Sequence, residues 1–547
     1  MANPIVVVNT TVTNAPTPST LQKTGALISQ GGTTLSVGNF SLLTQPADLT
    51  PLLASPLALS TLSWASTYGG QVTATAAAAH GVTIGEQFVT TIAGAVPAGY
   101  NGTVLATATS STAFTYYLTP NPGSETTPGT YTPRNVGELQ AMATTFFARN
   151  FQQGVYVLEL GAGEPGAGVT NLQNFITANP QMFYGYLVPR NWDGVSSYLS
   201  FLAGFDAPNA KTYFWTTTTL QNWHLYDDTM KCVVALVEAP AYGKWASNVL
   251  TAASYADGEV TATTTTAHGV APGQYFTITG CTPAGYNGTF QAMPGTTGST
   301  LVYAVPSDPG SITVEGTLQP SLYSSAGIPA TEFSLASAFN VALSYDPSST
   351  NKVTPFEYSF LFGVTRFPTM GNAALLTQLK AANINYVGYG GEGGISDNML
   401  VGGNMLDGNP LNFWYAADWM QINLDLNLSN AVINGSNNPI NPLYYNQDGI
   451  NRLEQVAAST GASAITFGMA LGRVIQVGLD SQTFGNNLNA GAYAGQLVVN
   501  AVPFPAYNQA SPGDYKIGKY AGLSMVMTPL RGFDQIVFNL NVTSFAA

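Results

Sequence analysis

The chain is short of charge. Its 547 residues hold 15 Lys and Arg against 28 Asp and Glu, 8 % charged in all, where globular domains ordinarily carry about 25 %. Much of the surface is therefore Ser, Thr, Asn, Gln and Gly, a composition suited to permanent contact with neighbouring subunits. The few basic residues form no cluster, and the net charge of −13 argues against nucleic acid, which is not expected as a partner, because phosphate neutralisation needs Lys and Arg clusters. Cysteine is nearly absent. Cys232 and Cys281 cannot build a disulfide framework, and neither sits in a C-x-x-C pair, so they read as small core residues rather than zinc ligands. No window approaches the ~18 apolar residues of a membrane span. The start, Met1-Ala-Asn-Pro-Ile-Val-Val-Val, lacks the basic flank of a signal peptide. These absences lead to the expectation of a soluble protein without membrane insertion, kept in a cytosol until it assembles. At 45 % hydrophobic the chain is long and apolar enough to bury several cores.

What is present, first of all, is a repeat. Residues 72–103 read VTATAAAAHGVTIGEQFVTTIAGAVPAGYNGT and residues 260–289 read VTATTTTAHGVAPGQYFTITGCTPAGYNGT, each followed by a further Thr- and aromatic-rich stretch. Alternating Val, Thr and aromatic residues between Gly- and Pro-containing turns predict a small β module, with the Asn-Gly of PAGYNGT as a tight hairpin turn. Two separated copies in different surroundings indicate one module inserted twice into surface loops of a host.

The host reads as α+β, or mixed α/β, with a partly parallel sheet. Leu139, Met142, Ala143, Phe146 and Phe147 follow helical spacing over 136–151. The apolar runs at 155–160, 182–189, 212–217 and 232–238, with a helix starting near Thr170, give the strand–helix–strand pattern of parallel sheets. Helices follow at about 371–382, 411–430 and 448–459, and strands beyond 460. The predicted domains are an N-terminal arm, 1–20; a discontinuous core, 21–68, 133–250 and 320–530; the modules, 69–132 and 251–319; and a C-terminal arm, 531–547. The arms are extended β segments. Ile5, Val6, Val7, Val8 and Val12 lie in one, and Ile536, Phe538, Leu540 and Val542 alternate in the other. Such segments pair either with a sheet of another subunit or, as ordinary edge strands, with their own.

Catalytic signatures are scarce. Gly161-Ala-Gly163-Glu-Pro-Gly166 and Gly388-Tyr-Gly390-Gly-Glu-Gly393 match G-x-G-x-x-G, and the first follows a strand and precedes a helix. Yet Glu164 and Pro165 stand where a pyrophosphate would approach, and no ribose-binding acid follows the next strand, so tight turns are the better reading and no cofactor is expected. His80 and His268 occupy equivalent module positions and read as turn or core residues. His224, near Asp227 and Asp228, suggests a metal, but two acids beside one His usually start a helix or line a solvated loop. No catalytic or metal residue is assigned, and the chain is not expected to be an enzyme.

Asn383-Ile-Asn-Tyr-Val-Gly-Tyr-Gly, then Gly402-Gly-Asn-Met-Leu-Asp-Gly, then Trp414-Tyr-Ala-Ala-Asp-Trp-Met-Gln-Ile-Asn-Leu, resemble the C-terminal half of contractile-tail sheath proteins of myovirus-type bacteriophages. Phe356-Glu-Tyr-Ser-Phe-Leu-Phe-Gly and Gln447-Asp-Gly-Ile-Asn-Arg-Leu follow in matching order. The resemblance covers roughly 340–547, more loosely 133–240, and neither module. It implies a virion protein, assembled in the bacterial cytoplasm, that stacks as hexameric rings around a tail tube protein, with baseplate and tail terminator proteins as further partners. It also implies that the terminal arms link subunits while the rings contract. Two other readings remain: a baseplate or neck component, and a carbohydrate-binding protein whose Tyr100, Tyr116, Tyr286 and Tyr303 stack on sugar faces.

Overall fold

The computed structural model describes residues 20–533 apart from 67–70, 83, 85–86, 119, 150–153, 208–209, 220–221, 239–247, 257, 266–267, 269, 271–274, 294, 306, 321–331, 368–372 and 390–396. Residues 1–19 and 534–547 of the two arms, and with them Ile5, Val6, Val7, Val8, Val12, Ile536, Phe538, Leu540 and Val542, lie outside the described residues. The fold is mixed α and β, with one largely parallel sheet and several antiparallel ones. The chain forms two compact units, one of Lys23–Tyr345 and Pro355–Leu411, the other of Asp346–Thr354 and Asn412–Arg531.

In the larger unit the main sheet has strands β1 (Gly25–Ser29), β2 (Phe40–Leu43), β3 (Val155–Glu159), β4 (Gly185–Leu187), β5 (Tyr213–Thr218) and β6 (Val233–Val237). Their order is β6-β5-β4-β1-β3-β2, parallel except for β2. β5 and β6 are buried at every position, the pattern of strands covered on both faces. Helices α1 (Arg134–Phe147), α2 (Pro165–Ala178), α3 (Ser196–Phe205) and α4 (Ser334–Leu343) accompany the sheet. Helix α2 starts five residues before the predicted Thr170 because Pro165 suits the first turn, where its missing N–H leaves no bond unmade. Leu139, Met142, Phe146 and Phe147 form the buried stripe of α1. Phe146 packs edge-on against Phe339 of α4, their centroids 6.1 Å apart. Phe339 in turn rests on Gly25 and Gly185, which pair across β1 and β4; a Cβ on either would meet its ring at 2.5 Å. Those two glycines are a seat for an aromatic side chain.

Each repeat forms a six-stranded antiparallel barrel-like module. The first comprises Leu57–Ala65, Gln71–Ala76, Gln87–Ala93, Gly102–Ala108, Ala113–Tyr117 and Thr130–Tyr131, and it closes. The second comprises Asn248–Ala256, Glu259–Thr264, Tyr275–Thr279, Gly288–Gln291, Thr300–Ala304 and Thr317–Pro320, in the same circular order, with no strand ladder between its fourth and fifth strands among the described residues. The predicted module boundaries at 69 and 251 are therefore late. The predicted core takes in the whole first strand of the first module and only Asn248–Leu250 of the second, because Leu-Ala-Leu-Ser-Thr-Leu-Ser-Trp-Ala and Asn-Val-Leu-Thr-Ala-Ala-Ser-Tyr-Ala diverge where the rest repeats.

The Asn-Gly turn is also corrected. Asn101 and Asn287 are extended, with φ −77° and −87°, whereas a tight type I′ turn needs positive φ at both residues. The asparagines act as clasps instead. Asn101 accepts from Ala95 N at 2.9 Å and donates to Ala95 O at 3.0 Å; Asn287 does the same with Cys281, both at 2.8 Å. Tyr100 and Tyr286 donate to the carbonyls of Gly123 and Gly310, each at 2.7 Å. The shared heptapeptide is thus a structural lock.

In the smaller unit, the 26-residue α6 (Leu411–Ser436, counting Ala373–Ala381 of the larger unit as α5) precedes α7 (Gln447–Thr466). Region 320–530 was predicted as one core piece, but most of it builds this separate unit. Beyond 460 helices interleave with strands rather than strands alone: Ser481–Asn489, Phe504–Ala510 and Pro512–Lys516 separate Val474–Val477, Leu497–Ala501 and Leu523–Val526. Polar Asn- and Gly-rich sequence hid these short helices. Among the described residues no helix is long and apolar enough to cross a membrane.

Candidate assembly interface

In a parallel sheet, ligands bind beyond the carboxyl ends of strands where the strand order reverses. Here β3 and β4 flank β1, and that crevice is filled by the chain itself. Glu159, buried at the end of β3, accepts from Ser29 Oγ and Thr33 Oγ1 at 2.7 Å and from the amides of Gly31, Gly161 and Thr33 at 2.6, 2.7 and 3.1 Å. Five donors satisfy the buried carboxylate. Gln30 Nε2 donates to the carbonyls of Gly163 and Glu164 at 2.9 and 2.8 Å, while its Oε1 accepts from Trp192 Nε1 at 3.0 Å. The Gly161–Gly166 motif is a turn fastened by a glutamine. Of the second motif, Gly388 lies in the strand Tyr386–Tyr389, and Gly390 and Gly393 lie outside the described residues.

Beyond β4 and β6 sits a buried ion pair, Arg190 Nε to Glu238 Oε2 at 2.8 Å. Glu238 also accepts from Ser334 N at 2.6 Å, Arg190 Nη2 donates to the Glu332 carbonyl, and the guanidinium covers Phe333 at 4.2 Å. Glu138 of α1 accepts from Arg190 N at 2.8 Å. Glu332 accepts from Ser334 Oγ, Thr365 N and Thr365 Oγ1, and burial pushes its pKa up. The cluster joins α1, β4, β6 and the start of α4, using its charges on the chain's own groups. Sequence patterns missed it. The available signal was a charged residue directly after an apolar strand, Leu187-Val-Pro-Arg190 and Val237-Glu238, in a chain so poor in charge.

His224, Asp227 and Asp228 are exposed on a short turn, where Asp227 Oδ1 accepts from Thr229 N and Oγ1 at 3.0 and 2.8 Å. Their neighbour Tyr226 points inward and donates to Asp193 at 2.8 Å, and burial raises the pKa of Asp193. No group of three His, Cys, Asp or Glu among the described residues is arranged to hold a metal. His80 and His268 each accept from the amide two residues on, Val82 at 3.1 Å and Val270 at 3.0 Å, a turn role; burial lowers both pKa values. Cys232 and Cys281 are buried free thiols. Tyr100, Tyr116, Tyr286 and Tyr303 are at most 1 % exposed. Their faces are inside the modules, which removes them as a sugar-stacking platform.

The segments that begin at Asn383 and Gly402 are clasped to each other by asparagines. Asn385 extends the main sheet beyond β6, its N donating to Ala235 O at 2.9 Å while its O accepts from Val237 N at 2.8 Å. Its side chain accepts from Asn404 N at 3.0 Å and donates to Ala235 O and Asn404 O. Asn383 Nδ2 donates to Leu406 O at 3.0 Å. These bonds shape a backbone; none presents a reactive group.

Among the described residues the smaller unit offers two strand edges. In the smaller unit Leu497–Ala501 is buried throughout between Val474–Val477, parallel to it, and Leu523–Val526, antiparallel. Both flanking strands are partly exposed, carry no charge or proline, and pair as strands on one side only among the described residues. Natural edges are ordinarily blunted by lysine, proline or a covering segment. No known protein family matches the sequence, and no curated protein matches it either.

Proposed function

We propose that the chain is a structural subunit of the contractile tail sheath of a myovirus-type bacteriophage, without catalytic role. It polymerises as stacked, hexameric rings around a tail tube protein, bounded by baseplate and tail terminator proteins, and contracts by re-docking of subunits to drive the tube through the host envelope. Its place is the virion tail, after assembly in the host cytoplasm. The observation that carries this reading is the three-stranded sheet of the smaller unit, whose uncharged outer strands, Val474–Val477 and Leu523–Val526, pair on one side only among the described residues and so offer an edge for strand addition. The β-patterned segments at both chain ends are the strands to be added, with Ile536, Phe538, Leu540 and Val542 alternating in one. The low charge and the order of motifs from Phe356 to Leu453 agree with it.

Truncation tests it. Removing 1–13 or 535–547 should leave a folded subunit that no longer polymerises, read by thermal unfolding and sedimentation together with negative-stain microscopy of the parent. Hollow tubes from the parent support the reading. Small closed rings make the protein a baseplate or neck component, and tubes that persist in both truncations return the ends to ordinary edge strands.

A further inference from the structure

We infer that the smaller unit carries a contact surface for a second copy of this chain, formed where the turn after α6 is fastened to the segment 515–519, with Ile440, Tyr444 and Ile517 at its centre. Scattered exposed apolar side chains need no explanation, but these three are 76, 67 and 74 % exposed and belong to one local structure. After α6 the chain folds back, with Asn437 N donating to Ile433 O at 3.2 Å and Leu443 N to Gly435 O at 3.0 Å. Asn438 Oδ1 accepts from Ile440 N at 3.0 Å and Asn441 N at 3.2 Å, which sets Ile440 on a shaped turn. Tyr445 then ties the turn down. Its OH donates to Lys519 O at 2.8 Å, and its ring meets Tyr515 at 5.2 Å and Phe504 at 5.7 Å.

The charges around this centre have both signs. Arg452 donates to the carbonyls of Asn441 and Pro442, Lys516 and Asp448 are exposed, and Lys519 stands 3.8 Å from Asp514. A rim with charges of both signs allows unlike charges to meet across a two-fold contact around an apolar centre, as a contact between like surfaces requires. Charge over the whole chain points to the same occupant. Asp346–Thr354 with Asn412–Arg531 holds six basic and seven acidic residues, whereas the rest holds nine basic and twenty-one acidic, and neither β module contains a single Lys or Arg. Two copies repel through the acidic unit and approach without that repulsion through the nearly neutral one. The inference deepens the polymer reading but requires only self-association, not a tube.

The test is sedimentation velocity of the full chain over a concentration series, comparing the parent with Ile440→Asn/Tyr444→Ser/Ile517→Asn and with the control Ile84→Asn/Val314→Asn. The first variant should weaken self-association by at least about tenfold with an unchanged thermal transition, and the control should behave as the parent. Amine cross-linking of mixed light and heavy copies should join Lys516 or Lys519 of one to Lys516 or Lys519 of the other. A parent that stays monomeric, a patch variant that associates as the parent does, or cross-links from these lysines only to the larger unit or to a tube protein would overturn it. Tubes that form equally from parent and patch variant sink this contact while leaving the sheath reading intact; patch-dependent oligomers that never form tubes do the reverse.

Discussion

Replacing Arg190 by methionine should destabilise the core of the main sheet more than any other single charge removal. The two side chains of the Arg190–Glu238 pair are 6 % and 1 % exposed, with Nε 2.8 Å from the carboxylate. A pair separated by ~4 Å at an effective dielectric constant near 20 attracts by about 4 kcal/mol, and breaking a buried pair by deleting one partner costs about 3–5 kcal/mol because the other charge is stranded. Arg190→Met keeps most of the stem over Phe333 and so isolates the charge from the packing. Glu238 then retains Ser334 N, but no cation within this contact. In Arg190→Met/Glu238→Gln the stranded charge is gone and the glutamine still accepts from Ser334 N, so the double variant should be more stable than Arg190→Met alone. Urea unfolding followed by tryptophan fluorescence reads this core, because Trp192 and Trp215 are buried in the larger unit beside it. A loss below about 1 kcal/mol for Arg190→Met, or a double variant as unstable as the two single losses added, would refute the view of this pair as a desolvated, mutually dependent unit.

The second module should be removable: Glu238 and Ser334, which flank it, already meet at 2.6 Å, so a short Gly/Ser linker in place of 239–331 should leave the main-sheet transition intact, and an insoluble or unfolded product would show that the host needs it. The module histidines, His268 buried and His80 half-buried, should make stability pH-dependent. Their folded pKa values lie below the ordinary 6.5, so below that pH the unfolded chain binds more protons and stability falls as pH drops, returning as pH rises towards 6.5. His80→Asn/His268→Asn keeps an acceptor for the turn amide without titrating, and its melting temperature should change less between neutral pH and about pH 5; an unchanged slope would place the effect elsewhere.

The duplicated modules, the apolar strands β3, β5 and β6, and helices α1 and α7 were legible in the chain because each writes its own period: alternation for a half-buried strand, an unbroken apolar run for a covered one, 3.6-residue spacing for an amphipathic helix. The scarcity of His, Cys and basic residues was equally legible, being a matter of composition alone. The chain alone left open where each module begins, because the first strands of the two copies diverge in sequence while keeping the same neighbours in the barrel. The roles of PAGYNGT were likewise invisible. Asn101 and Gly102 spell a hairpin turn locally, and only the nearby backbone of Ala95 makes the asparagine a clasp.

By itself the sequence determined the building blocks and the kinds of chemistry available to them. Tertiary structure alone decided that Gln30 fills the crevice above Gly163, that Arg190 meets Glu238 and the approach to Ser334 across the span occupied by a whole module, and that the strands after 470 form one sheet around Leu497–Ala501. The physical reason is separation along the chain. Periodicity and turn chemistry act over a few residues, whereas a buried carboxylate, a filled crevice or an exposed edge is a property of partners brought together from distant segments, and its consequence appears only when those segments have packed.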